Sequence, residues 1–292
     1  MTEVAAIVTR RGLADVVRDY LDLSKSRIVL MVLVTTAAGY WTGARSVDPI
    51  LLLNLLLGTA LVAGGTNALN QVWERHRDAR MARTRLRPLP AGRISTAAAT
   101  TFSVAISIAG IGWLAVAVNA IAAFLAFATL ASYLFVYTPL KTRTTHCTVV
   151  GAAPGAVPPM IGYAAATGVV DATAWALFAL LFAWQLPHFL ALSWIYREDY
   201  GRGGFRMLSV VDPARVGRHA FAWSAALFLA SLAPAALGAA GALYLVTAVA
   251  GGAAILWSAY RFARSLDTRA ARALFHGSNL YLLAVMTFLI VG

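Results

Sequence analysis

Residues 67–93, NALNQVWERHRDARMARTRLRPLPAGR, gather seven arginines beside Glu74 and Asp78 and lie between two long apolar runs. The whole chain of 292 residues is 60% hydrophobic and only 12% charged. Soluble domains average roughly 45–50% apolar and about 25% charged residues. The composition therefore predicts a polytopic membrane protein, and the charge concentrated in this one stretch is the feature to explain.

Nine apolar spans follow one another along the chain. They are 28–43, 48–69, 97–118, 121–139, 148–167, 172–195, 219–237, 241–260 and 278–292. Most are close to the roughly 20 residues that a helix needs to cross a bilayer core of about 30 Å. We predict an all-α fold, a bundle of nine transmembrane helices within a domain at 25–292. The segment 1–24 is predicted to form an amphipathic surface helix with Leu13, Val16, Val17 and Tyr20 on one face.

The basic residues predict the orientation of the bundle. With nine spans, 23 of the 24 lysines and arginines fall on the side of the N-terminus, and Arg45 alone falls on the other. The positive-inside rule then places the N-terminus in the cytoplasm. This distribution assigns the net charge of +12 to orientation and to anionic lipid contact, and it excludes a nucleic-acid-binding function. The single Cys147 excludes an internal disulfide and a cysteine metal cluster.

A polar stripe is predicted where the second helix continues into the charged stretch. At 100° per residue, Asn67, Asn70, Glu74 and Asp78 fall within a sector about 80° wide. Carboxylate and amide oxygens suit Mg²⁺, which commonly reaches its site together with substrate phosphates. The arginines that follow can bind the remaining phosphate oxygens. The pattern favours a magnesium diphosphate site, although an interfacial helix end whose acids pair with neighbouring arginines is the alternative.

The loop after this stripe contains Pro88, Pro90 and Gly92, which are predicted to end the helix. Such a loop either closes over a bound headgroup or is an ordinary turn between helices.

Two basic pairs elsewhere are predicted at the same surface. Lys25 and Arg27 precede the first span, and Lys141 and Arg143 follow the fourth. Each pair either anchors a helix at the interface or contributes to an anion site.

A second polar stripe is predicted at the end of the sixth span. It comprises Gln185, His188, Leu192, Tyr196 and Asp199, and a glycine-rich hinge follows at 201–204. A histidine within a span is either a hydrogen-bonded packing residue or a ligand.

The fifth span contains Gly151, Pro154, Gly155, Pro158 and Pro159. We predict a broken or kinked helix there, because non-helical backbone is tolerated where it lines a cavity.

These motifs resemble a known family. The stretch 67–93 is similar to the first aspartate-rich motif of the UbiA-type intramembrane prenyltransferases, carried here by Asn70, Glu74 and Asp78. YTPLKTRTTHCTVVGAAPGAVPPMIGY at 137–163 and WQLPHFLALSWIYREDYGRGGFRML at 184–208 resemble the protohaem IX farnesyltransferases, or haem O synthases, within that superfamily. The resemblance runs from about Ser24 to Leu208 and more weakly to the end of the chain.

The resemblance implies a fold and a reaction. The nine helices would surround a central cavity capped by the loops after helices two and six. A farnesyl group would move from farnesyl diphosphate to a vinyl group of haem b, with addition of water, to give haem O for terminal oxidases. The implied setting is the bacterial inner membrane, with Mg²⁺ as cofactor and an association with haem A synthase or terminal oxidase assembly.

The resemblance also implies roles for individual residues. Asn70, Glu74 and Asp78 would hold Mg²⁺, and Asp199 with Tyr196 would hold a second metal or orient water. His188, with Gln185 on the same face, would meet the porphyrin or its propionates. The diphosphate would be bound by the basic side chains of Lys25, Arg27, Arg83, Arg87, Lys141 and Arg143.

The sequence departs from the family pattern in three places, and its fewer carboxylates favour a single Mg²⁺. His76 and Arg77 interrupt the acids of the first motif, Ser26 replaces a common proline, and the second motif keeps only Glu198 and Asp199. Three alternatives remain at this point. One is a related prenyltransferase that acts on a quinone precursor or a chlorin. The others belong to different classes: a transporter of an amphipathic anion, or a non-catalytic haem-binding assembly factor.

Overall fold

A computed structural model describes residues 12–291, and this part of the chain is helical without any strand. Residues 1–11 of the predicted N-terminal segment and Gly292 of the last predicted span lie outside the described residues. The first seven helices are α1 Leu13–Leu23, α2 Ser26–Gly43, α3 Pro49–Asp78, α4 Thr96–Ala117, α5 Ala120–Ala131, α6 Thr138–Leu140 and α7 Cys147–Ala156. The others are α8 Pro158–Thr167, α9 Ala172–Ile195, α10 Arg197–Arg202, α11 Leu208–Val211, α12 Pro213–Ala230, α13 Ala233–Ala236, α14 Ala242–Ser265 and α15 Thr268–Val291.

Eight helical segments within residues 12–291 are long and apolar enough to cross a membrane. They confirm eight of the nine predicted spans. The first predicted span does form a helix, α2, but it has only 18 residues. Arg27 near its start and Thr35, Thr36 and Thr42 in its second half lower its hydropathy, and it is not among the eight. The last span begins at Thr268, ten residues before the predicted start. The prediction from apolar residues missed its first turns because they contain Arg269 and Arg272.

The spans form a closed ring in which neighbours in the chain are mostly neighbours in space. Helix α2 packs against α3 and α8, α3 against α4, and α9 against α7, α12 and α15. Contact between α15 and α2 closes the ring. A central cavity lies within it, lined by α2, α3, α5, α7, α8, α9 and α15. The predicted bundle around a central cavity is therefore confirmed.

Side-chain caps start α3, α5 and α9 at the end of the bundle opposite the charged stretch. Asp48 accepts hydrogen bonds from the backbone N–H groups of Ile50 and Leu51 and starts α3, whose first residue is Pro49. Asn119 caps α5 through the N–H of Ala122, and Asp171 caps α9 in the same way. Such caps satisfy N–H groups that a helix leaves unpaired.

Two close helix contacts depend on glycine. At the crossing of α2 and α8, a Cβ atom on Gly39 would overlap the carbonyl oxygen of Pro159, and one on Gly162 would overlap that of Thr36. Small residues at such crossings let helix backbones approach closely within a membrane. The fifth span is divided at Val157 into α7 and α8, which confirms the predicted break.

Helix α1 carries the predicted surface face only in part. Leu13, Val16 and Val17 are exposed, whereas the ring of Tyr20 packs against Phe102 at 4.7 Å between centroids. Asp19 is buried on the same helix and forms an ion pair with Arg93 at 2.9 Å. The helix is therefore attached to the loop that follows α3, and the boundary between the two predicted domains stays a prediction.

Candidate active site

The central cavity has a volume of about 520 Å³, is mainly apolar and has its charged side chains at one end. That end, called the basic end below, is formed by Lys25, Arg83, Arg87 and Lys141 together with the last turns of α3. Deeper in the bundle the walls are mainly apolar, with side chains such as Met31, Val62, Ile161 and Leu181. An apolar chamber with a polar entrance suits a ligand that has a charged head and a hydrocarbon body.

The predicted stripe on α3 forms one wall of this cavity. Asn67, Asn70, Glu74 and Asp78 are all buried, and all four line the cavity. They share a wall because α3 stays helical for 30 residues, up to Asp78. The helix thus ends well before Pro88 and Pro90, so the prediction that these prolines end it is wrong. The chain leaves the helix after Asp78, where Thr84 Oγ1 donates to the Asp78 carbonyl at 2.8 Å.

Each polar group of the stripe contacts a basic side chain from another segment. Lys25 Nζ donates to Asn70 Oδ1 at 3.1 Å. Lys141 Nζ donates to both oxygens of Glu74, at 2.9 and 3.1 Å. Arg87 contacts Asp78 Oδ2 at 2.7 Å. Three of the predicted diphosphate-binding residues therefore lie directly beside the three predicted metal ligands.

Lys141 is the most enclosed of these cations. Its Nζ lies 4.5 Å from the ring centre of Tyr137 and 5.9 Å from those of Tyr133 and Phe205. Both tyrosines belong to a π-helical segment, Ser132–Tyr137, which continues α5. Burial lowers the pKa of Lys141, but Glu74 and the two tyrosines raise it well above its usual value. Lys141 is therefore a permanent cation, held between a carboxylate and three aromatic faces.

Lys25 is positioned by an unusual backbone conformation. It precedes α2 with φ of 52° and ψ of 56°, a left-handed conformation that is rare for residues other than glycine. Such strained positions cluster at functional sites, where the surrounding structure maintains them. Burial, together with the nearby Arg87 and Lys141, lowers the pKa of Lys25 to about 7. An anion bound beside Lys25 would favour its charged form.

Loop 79–94 and helix α10 pack against each other and cover the basic end. Asp199 accepts hydrogen bonds from the backbone N–H groups of Ala82 and Arg83, at 3.0 and 3.1 Å. Its side chain also pairs with Arg202. Burial would raise the pKa of Asp199, but the hydrogen bonds from Arg202, Arg83 and Ala82 hold it below its usual value. Both oxygens of Asp199 are thus occupied in joining the two segments.

Further contacts strengthen this cap. The guanidinium group of Arg83 lies 5.0 Å from the ring centre of Tyr196 and 5.9 Å from that of Tyr200. Arg77 donates to the carbonyl oxygen of Gly203 at 3.0 Å. A small apolar cluster of Met81, Cys147, Phe205 and Met207 lies beneath them. The predicted cap made by the loops after helices two and six is therefore present.

The second predicted stripe is only partly formed. Gln185, His188 and Leu192 line the cavity, but α9 ends at Ile195 and the backbone of Tyr196 leaves the helical conformation. Asp199 consequently lies on the separate helix α10, and the predicted continuation of the stripe through Tyr196 is wrong. Among residues 12–291, Tyr196, Asp199 and Arg143 are the predicted site residues away from the cavity wall. Arg143 and Arg27 are both exposed, but only Arg27 lines the cavity, at its entrance.

Gln185 and His188 have different surroundings. Gln185 Nε2 donates to the carbonyl oxygen of Ala152 at 3.2 Å, and a Cβ atom on Gly155 would overlap Gln185 Oε1. The glycine of the broken fifth span therefore makes room for this amide. His188 Nδ1 lies 2.9 Å from Ser278 Oγ of α15. Gln185 is held mainly by α7, and His188 by α15.

Several cavity residues were not predicted as site residues. They are Tyr133, Tyr137, Trp184, Tyr200, Phe205, Phe275 and Asn279. Asn279 and the neighbouring Ser278 gave a usable signal, because polar side chains within an apolar span tend to mark a site. The aromatic residues gave none, since aromatic side chains are also common in membrane cores and at interfaces.

The donor set at the basic end fits a hard divalent cation. Asn70, Glu74 and Asp78 offer one amide oxygen and two carboxylates from successive turns of α3. In the part of the chain that the structure describes, no three His, Cys, Asp or Glu side chains converge as a metal cluster. A cation with two protein carboxylates must complete its shell with water and ligand oxygens, as Mg²⁺ commonly does.

Comparison with known proteins identifies the family. Residues 32–284 match the UbiA prenyltransferase family. The chain belongs to that family. The protoheme IX farnesyltransferase of Solibacter usitatus (strain Ellin6076) is 46% identical over 277 residues, and the match covers 91% of this chain and 95% of that protein. The resemblance predicted from the sequence is confirmed, and this member of the UbiA family is a multi-pass membrane prenyltransferase.

Solved structures share the fold. The structure of a digeranylgeranylglyceryl phosphate synthase has a TM-score of 0.79 at 17% identity, covering 94% of this chain and 98% of that one. A UbiA homologue from Archaeoglobus fulgidus, bound to DMAPP and Mg²⁺, has a TM-score of 0.64 at 16% identity, covering 94% and 99%. At these identities the likeness shows the helical bundle alone.

Proposed function

We propose that this UbiA-family protein transfers the farnesyl group of farnesyl diphosphate to a vinyl group of haem b, with addition of water, to give haem O. One observation carries the proposal. Three oxygen-bearing side chains on one face of α3 lie beside Lys25, Lys141 and Arg87 at the entrance of an apolar cavity. The identity of 46% to a protoheme IX farnesyltransferase supports haem as the acceptor.

The residues at the basic end would bind and orient the diphosphate. When bound beside Asn70, Glu74 and Asp78, Mg²⁺ supplies positive charge that neutralises the leaving group. The Archaeoglobus fulgidus homologue, which binds DMAPP and Mg²⁺, supports this choice of cofactor. Lys25, Lys141 and Arg87 would contact the phosphate oxygens and stabilise their growing charge as the allylic C–O bond breaks.

The rest of the reaction would need no protein nucleophile. The terminal carbon of the haem vinyl group attacks the allylic carbon, and its π electrons form the new C–C bond. The cation left next to the porphyrin takes a hydroxyl group from water, which releases one proton. The apolar cavity walls would keep other water molecules from the allylic cation, and the loop 79–94 cap would cover the entrance.

The proposal includes a location and partners. We place the basic end and the N-terminus in the cytoplasm and the protein in the bacterial inner membrane, which the concentration of basic residues on one side supports. Association with haem A synthase or with terminal oxidase assembly belongs to the same proposal, because haem O is their starting material. The resemblance to haem O synthases supports this part.

Acceptor competition tests the proposed function against its nearest alternative. The purified protein in lipid vesicles receives farnesyl diphosphate, Mg²⁺ and one acceptor at a time: haem b, a quinone precursor or a chlorin. We expect diphosphate release with haem b and little with the others. Release that requires the quinone precursor or chlorin instead would assign a different acceptor. Transport of farnesyl diphosphate without any release would favour the transporter.

Asp199→Ala should weaken binding of farnesyl diphosphate without changing the metal requirement. The substitution removes the acceptor for two backbone N–H groups of loop 79–94 and so loosens Arg83. We expect KM for farnesyl diphosphate to rise about tenfold, equivalent to about 1.4 kcal/mol, with a smaller change in kcat. The Mg²⁺ concentration that gives half-maximal activity should stay the same. A large increase in that concentration would instead identify Asp199 as a ligand of a second metal.

A further inference from the structure

The ring of His188 is fixed by aromatic side chains on both faces. Its centroid lies 4.7 Å from Trp184 and 4.6 Å from Phe275, at interplanar angles of 24° and 30°. Two rings cannot occupy one face at such distances, so Trp184 and Phe275 lie on opposite faces. Trp184 is itself held in place, because its Nε1 donates to the carbonyl oxygen of Ser278 at 2.6 Å. Only the edge of the imidazole ring is left to meet a ligand.

The hydrogen bonds of Ser278 assign the tautomer of His188. Ser278 Oγ donates its one hydrogen to the carbonyl oxygen of Phe275 at 2.8 Å. The same oxygen lies 2.9 Å from His188 Nδ1, and with its hydrogen on the Phe275 carbonyl it accepts a hydrogen bond there. Nδ1 therefore carries the proton in a neutral ring. Nε2 then has a free lone pair.

No other histidine among the described residues has access to the cavity. All five histidines of the chain lie within residues 12–291, and His76, His146, His219 and His276 are exposed. His188 is buried and lines the cavity. A neutral histidine whose Nδ1–H is held by an acceptor is the form that binds metals through Nε2, because the acceptor fixes the ring and raises its basicity.

We propose that His188 Nε2 is an axial ligand of the iron of the haem substrate and that Ser278 is the positioning residue for it. This inference rests on the proposed function. Histidine is a common axial ligand of haem iron in proteins. Ligation through the iron would hold the porphyrin at its centre and leave the periphery, where the vinyl groups lie, free to face the basic end. His188 would therefore orient the acceptor without touching the reacting carbon.

Resonance Raman spectroscopy tests the ligand directly. The full-length protein in lipid nanodiscs is loaded with ferrous haem b in the absence of farnesyl diphosphate. We expect an iron–histidine stretching band for the native protein and for His276→Ala, the matched control. His188→Gly should lose the band while retaining haem at reduced affinity, and added imidazole should restore it. Ser278→Ala should move the band to lower frequency, because the ring loses the acceptor that raises its basicity.

The outcomes separate this inference from the proposed function. Native protein that forms haem O but shows no iron–histidine band would overturn the axial ligand and leave the proposed function intact. Persistence of the band in His188→Gly without added imidazole would overturn it equally. Failure of the native protein to convert haem b, in the acceptor experiment above, would instead overturn the proposed function.

Discussion

Asp78→Asn is expected to lower kcat/KM for farnesyl transfer by about 10²–10³-fold, because it removes one of two carboxylates from the donor set on α3. Asp78 is buried at the basic end and contacts Arg87 at 2.7 Å. The asparagine keeps the shape of the side chain but not its charge. The Mg²⁺ concentration that gives half-maximal activity should therefore rise. Steady-state assays at several Mg²⁺ concentrations measure both effects.

The control is a second aspartate–arginine pair outside the cavity. Asp212 contacts Arg215 at 2.9 Å, and the two side chains are 38% and 61% exposed. Asp212→Asn should leave both kcat/KM and the Mg²⁺ requirement unchanged. Equal activity of Asp78→Asn and the native protein at every Mg²⁺ concentration would contradict a metal role for the α3 stripe. A loss of activity with an unchanged Mg²⁺ requirement would do so as well.

Lys141→Met is expected to lower the stability of the protein by about 3–5 kcal/mol, because it leaves Glu74 as a buried carboxylate without its cation. The side chains of Lys141 and Glu74 are only 9% and 8% exposed. Glu74→Gln should have a comparable effect, since it leaves Lys141 buried and charged. The effect is measured without substrate as a decrease in the apparent thermal midpoint in detergent micelles.

A double-mutant cycle isolates the pair from other effects of the substitutions. We expect Lys141→Met with Glu74→Gln to cost less than the sum of the single variants, because neither charge is then left alone. Arg215→Met, which breaks the exposed pair with Asp212, should change the stability by less than about 1 kcal/mol. Additive effects of the two single substitutions would contradict a direct interaction between Lys141 and Glu74.

The sequence predicted those features that depend on one helix. Asn67, Asn70, Glu74 and Asp78 are spaced so that a continuous helix puts them on one face, and α3 is continuous through all four. The apolar spans could also be predicted from the sequence, because crossing a bilayer requires a minimum length of apolar residues. The start of the last span could not be predicted in this way, because its first turns contain Arg269 and Arg272 and precede the apolar run.

Contacts between segments that are distant in the chain could not be predicted from the spacing of polar and apolar residues. Lys141 was predicted as a diphosphate cation, but its bond to Glu74 joins residues 67 positions apart. The bond between His188 and Ser278 joins residues 90 positions apart. Asp199 was expected to face the site because its stripe was extended through Tyr196. A single change of backbone conformation at Tyr196 moves it instead to the interface with loop 79–94.

The mass of the pigment shows whether this protein transfers a farnesyl group to haem b. Purified protein in lipid vesicles is incubated with haem b, farnesyl diphosphate and Mg²⁺, and the extracted pigment is analysed by mass spectrometry. We predict haem that has gained one farnesyl group and one hydroxyl group, with at least about 100-fold less formed by Asp78→Asn over the same time. Pigment with the unchanged mass of haem b, from protein that binds both substrates, would contradict the proposed function.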